Sequence, residues 1–141
     1  MRNWDRYLAG LMALLLAGNG VVMLAASLAW YDVVPGVTAT GPFNGHFVRD
    51  IGAVYLACAL GLGWFAWRPA QGWAAMATGA VWLTLHAMIH VYDATCGVSP
   101  LSDLQRDFVG VYLFAAIPVA LTLFRKPRGT GDVEIHAVAL A

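Results

Sequence analysis

Apolar residues gather in four runs, roughly Leu8 to Trp30, Phe47 to Trp67, Trp73 to Val91 and Val109 to Phe124. Each approaches the ~20 residues that an α-helix needs to cross a bilayer. None carries the polar face that a water-exposed helix would show, so four buried helices of a soluble bundle do not explain the pattern. Between the runs lie turn formers. Pro35-Gly36 and Gly41-Pro42 bracket Thr38-Ala39-Thr40 in the first connection, Pro69-Ala70-Gln71-Gly72 predicts a tight reversal, and Ala94 to Pro100 forms the third connection. The expected fold is an all-α integral membrane protein, an antiparallel bundle of four transmembrane helices over residues 1–128, followed by a loosely ordered tail over 129–141.

Helix ends can be placed from capping chemistry. Asn44 or Thr40 is expected to cap the second span, and Ser102 or Asp103 the fourth, where Asp103 and Asp107 also suit the positive end of the helix dipole. In the first run, Gly18-Asn19-Gly20 predicts a packing notch at which a neighbouring helix approaches and the Asn19 amide bonds across to it. Ser27-Leu28-Ala29 has the small-x-small form of a signal-peptide cleavage site, but the apolar run before it exceeds the usual ~7–15 residues, favouring an uncleaved first span.

Composition agrees with lipid as the solvent: 60% of the 141 residues are hydrophobic and 11% are charged. A formal net charge of zero gives no reason to expect nucleic acid as a partner. Charge is distributed by side. Arg2, Arg6, Arg68, Arg125, Lys126 and Arg128 fall at one end of the bundle and only Arg49 and Arg106 at the other, which puts both termini in the cytoplasm. The expected location is the inner (cell) membrane, with the His-bearing end on the periplasmic or extracellular side. Two cysteines, Cys58 within a span and Cys96 in a loop, encode no disulfide framework.

Ionisable residues are costly in hydrocarbon, roughly 2.5–3.5 kcal/mol each at a helix centre on insertion scales, and several are expected to meet at one end of the bundle. His46, Arg49 and Asp50 open the second span; His86, His90 and Asp93 close the third; Arg106 and Asp107 open the fourth. With a rise of ~1.5 Å per residue in antiparallel helices, His46 shares the depth of His90, and Asp50 that of His86. His46 and Asp50 are four apart above Ala53, Ala57 and Gly61, a stripe expected to face another helix.

This convergence predicts a ligand site. His46, Asp50, His86, His90 and Asp93 have the composition of a transition-metal centre for copper, zinc or iron, and His46 with His86 or His90 could supply the axial positions of a b-type haem. Arg49, Arg106 and Asp107 are expected to support the site as ion pairs. A quinone-type pocket, with a histidine and an aspartate exchanging protons beside Trp82 or Tyr92, draws on the same residues. A non-catalytic accessory or scaffold subunit, its polar cluster purely structural, is the competing reading. Conduction is disfavoured because only Asn19, Thr78, Thr84 and Thr122 continue the polar path inward. Expected partners are the lipid bilayer and either a membrane redox protein or further copies of the chain. Four short spans without a soluble domain resemble DoxX-type small membrane proteins in architecture, a likeness that carries no residue roles.

Overall fold

The computed structural model describes residues 3–126. Arg2, Arg128 and the expected tail over 129–141 lie outside the described residues. All elements are helical: α1 (Trp4–Ala25), α2 (Ser27–Val33), a 3-10 turn (Val37–Thr40), α3 (Gly45–Trp67), α4 (Pro69–Thr95), α5 (Asp103–Arg106), a π-helical segment (Phe108–Tyr112) and α6 (Leu113–Phe124). Three helices, α1, α3 and α4, are long and apolar enough to cross a membrane, and the continuous stretch Phe108–Phe124 is a shorter apolar helix.

In cross-section α1 packs on α3, α3 on α4, and α4 on α6, with a slighter contact between α6 and α1. Glycine sets the two closest approaches. A Cβ on Gly20 would come within 2.7 Å of the Gly52 carbonyl oxygen, so α1 and α3 cross backbone to backbone. Along α3 and α4, Gly61 faces Ala75 and Met76, Gly79 faces Cys58, and Gly72 faces Trp64 and Phe65. Phe65, Leu62, Met76, Met23 and Leu16 fill the interior.

Capping accounts for the helix boundaries. Asn44 Oδ1 accepts from the backbone N–H groups of His46 and Phe47 at 3.1 Å each, starting α3. Pro69 occupies the first turn of α4, where a missing N–H costs nothing, so Arg68 alone links α3 to α4 and the expected Pro69–Gly72 reversal is instead a helical turn. Ser102 precedes α5 but makes no side-chain cap. Asn19 also departs from expectation. Its carbonyl accepts from Trp30 Nε1 at 2.8 Å, a bond made within the first span, because the chain bends at Ala26 and brings α2 back toward α1.

One end of the bundle is tied by arginine and tryptophan. Arg125 Nε meets the buried Asp5 carboxylate at 3.0 Å. Arg6 donates to the Ala66 and Trp67 carbonyls at 2.8 and 3.0 Å, and Trp73 Nε1 donates to the Thr122 carbonyl at 2.9 Å. The opposite end carries the candidate site.

Candidate functional site

The site is built on one face of α4. Trp82, His86 and His90 recur at four-residue intervals and so form a ladder along the helix. Trp82 and His86 stack with ring centroids 5.2 Å apart and planes 5° from parallel, and His86 meets His90 edge to face at 4.8 Å. From α3, Tyr55 approaches both rungs, its ring 5.4 Å from Trp82 and its hydroxyl 3.4 Å from His86 Nε2.

At the top of the ladder His90 Nδ1 lies 2.7 Å from Asp107 Oδ2. Arg106 holds the same carboxylate by both oxygens, Nε to Oδ1 at 2.7 Å and Nη2 to Oδ2 at 3.1 Å. Its remaining nitrogen reaches Asp103 at 2.8 Å. The guanidinium also lies against Gly36, whose φ of +84° turns the first loop over it and leaves no room for a side chain. Burial by itself would raise the Asp107 carboxyl pKa, but the hydrogen bonds from Arg106 and His90 and the Arg106 charge outweigh it and hold the group below the usual carboxylate range. Asp107 is therefore an anion at neutral pH. The Arg106 guanidinium is correspondingly shifted up, chiefly by its hydrogen bond to Asp107.

An ionised Asp107 accepts, so the shared proton resides on His90 Nδ1 and Nε2 is the nitrogen left for another partner. His90 keeps 29% of its side chain exposed while Asp107 keeps 10%. A buried anion thus backs an accessible imidazole. On the π-helical segment one turn beyond Asp107, the Tyr112 hydroxyl is buried without a hydrogen-bond partner among the described residues.

Not every expected residue joins this cluster. His46 and Asp50 pair with each other at 3.3 Å on the outside of α3, 83% and 61% exposed. Ala53 and Ala57 below them are exposed as well, so the upper part of the stripe expected to face a helix faces outward, while Gly61 at its foot is buried against Ala75 and Met76 of α4. Helix geometry gives the reason. The buried face of α3 runs through Val48, Gly52, Ala59, Leu62 and Phe65, and the step from His46 to Val48 is about 200° around the axis. Among the described residues, no group of three or more His, Cys, Asp or Glu could hold a metal ion. The expected five-residue metal set does not assemble. Asp93 instead accepts through its backbone carbonyl from Val98 and Ser99 in the loop after α4. Nor is the expected haem pairing of His46 with His86 or His90 brought together, because His46 lies on the outer side of α3, 83% exposed. Arg49 is exposed and makes no ion pair among the described residues; the support expected from it comes from Arg106 alone, paired to Asp103 and Asp107.

Tyr55 and the direct His90–Asp107 bond were not anticipated. The antiparallel register that equates His46 with His90 also sets Tyr55 opposite Trp82, so depth counting could have found the tyrosine. Comparison with protein-family models, characterised proteins and solved structures returns no match.

Proposed function

We propose that the chain is a four-span inner-membrane protein whose outer-end cluster binds a quinone-type ring and exchanges protons with it through His90. The observation that carries this reading is the 2.7 Å contact from His90 Nδ1 to the buried, arginine-clamped Asp107. A carboxylate in that position orients an imidazole and fixes which ring nitrogen carries the proton, as a general acid or base requires.

The chemistry is simple to balance. A quinone becomes a quinol by taking up two electrons and two protons; His90 Nε2 would pass protons to a ring oxygen, and the electrons would come from a membrane redox partner. Tyr55 and Trp82 supply aromatic surface along the ladder below His90. His90 keeps 29% of its side chain exposed, which leaves it open to a lipid-soluble ring. The metal and haem alternatives lose their ligand set once His46 and Asp50 face outward.

A structural reading has one specific observation in its favour: Arg106 ties Asp103, Asp107 and the Gly36 loop together without any ligand. Binding separates the two. Tryptophan fluorescence of the protein in nanodiscs, titrated with a short-chain quinone, should show saturable quenching. His90→Ala should weaken it at least tenfold while His46→Ala leaves it unchanged. Absence of saturable quenching, or equal affinity in the two variants, would favour the structural cluster.

A further inference from the structure

The end of the bundle opposite the histidines holds a second polar feature that the proton-exchange reading does not use. Between the first turns of α1 and the last turn of α3 runs a groove of about 530 Å³, lined by Asn3, Arg6, Tyr7, Gly10, Leu14 and Ala66 among others. Its polar residues sit at one end and its apolar residues continue along α1 into the span. We propose that this groove binds an anionic phospholipid, with Arg6 holding the headgroup phosphodiester and the Gly10–Leu14 surface receiving an acyl chain.

Charge argues for an anion. Arg6 spends Nε and Nη2 on the Ala66 and Trp67 carbonyls, which fixes the guanidinium, and Nη1 has no partner among the described residues. The neighbouring Asp5 carboxylate does not neutralise it, being committed to Arg125 at 3.0 Å. A second guanidinium stands close by: Arg68 lies 4.5 Å above the ring of Trp67, the residue whose carbonyl Arg6 holds. No carboxylate pairs with Arg6 or Arg68 among the described residues. The fixed Arg6 guanidinium suits a phosphate oxygen pair, which takes the planar N–H fork readily, and Arg68 adds positive charge at the same end of α3. A choline headgroup would return a positive charge to the same place, so an anionic lipid should outcompete a zwitterionic one.

Shape argues for a lipid rather than a free ion. The groove continues past the cation over Gly10, where a Cβ would sit 3.8 Å from Ala66 Cβ, and on to Leu14, which is 73% exposed. Tyr7, with 76% of its surface exposed, stands beside Arg6 at the height expected of a residue in the headgroup layer. Inorganic phosphate would satisfy Arg6 but leave the apolar trough uncovered.

The test is native mass spectrometry of the full chain released from detergent containing equimolar phosphatidylglycerol and phosphatidylcholine, repeated with phosphatidylcholine plus inorganic phosphate. The wild type should retain one phosphatidylglycerol, favoured at least tenfold, and Arg6→Gln should bring that preference below twofold. Because Arg6 also holds the end of α3, a second variant guards against misfolding: Gly10→Leu keeps every Arg6 bond, fills the trough and should lose the lipid while melting like wild type. Equal retention of the two lipids, an undiminished preference in Arg6→Gln, full retention by Gly10→Leu, or phosphate retained in place of phosphatidylglycerol would each overturn the proposal.

Discussion

Asp107 concentrates the physics of the histidine-bearing end. It is buried, yet it accepts from Arg106 and from His90, and its lowered pKa ties stability to pH in a definite direction. A carboxylate depressed in the folded state contributes stability that is complete above its unfolded pKa and is lost as pH falls through the lower folded value. Thermal melts should therefore show no loss from this group between pH 7 and pH 5, and a loss only below its ordinary value of 3.8. Asp107→Asn removes the anion but leaves Arg106 and His90 behind, which should cost on the order of 3 kcal/mol, measured by denaturation in detergent. The contrast is Asp50. Its pairing with His46 is exposed, and Asp50→Ala should change stability by no more than about 1 kcal/mol, an upper bound for surface ion pairs. Sequence spacing alone makes these two aspartates look alike, since both lie near the start of a span at the same end of the bundle.

Among the elements, the pairing of α3 with α4 shows how far periodicity reaches. Composition and run length give the three long helices and the shorter fourth, and antiparallel counting gives their relative depth: Gly61 opposite Met76, Cys58 opposite Gly79 and Tyr55 opposite Trp82 all keep the register that sets His46 level with His90. Rotation about the axis was not legible in the same way. In an amphipathic helix the polar residues mark the wet face, but α3 is apolar nearly all round, so His46, Asp50 and the small residues below them carry no sign of which side packs. Glycine carries that sign here. Gly52 lies on the packed face because a Cβ there would approach Met23 Cβ to 2.8 Å, and Gly52→Leu should push α1 from α3 at a cost of about 1–3 kcal/mol, read as a lower melting temperature. The bend at Ala26 and the π-helical segment at Phe108–Tyr112 left no mark in the hydropathy pattern either, since both preserve its apolar character.

Across the whole molecule, charge divides the bundle into an arginine-rich end that is tied together and a histidine-rich end where an imidazole remains accessible. The orientation proposed from that division can be read with the two free thiols, Cys58 buried and Cys96 exposed. A membrane-impermeant maleimide added outside intact cells should label Cys96, and labelling confined to inverted vesicles would reverse the assigned sidedness. The central claim, an accessible His90 held by Asp107 as a proton-exchanging group for a quinone-type ring, is tested most directly by nitrogen-15 NMR of histidine-labelled protein with and without a short-chain quinone. One imidazole should show a strongly hydrogen-bonded Nδ1–H, absent in Asp107→Asn, and its Nε2 resonance should move as the quinone saturates. An Nε2 resonance that stays in place at saturating quinone, or a spectrum lacking that Nδ1–H, would contradict it.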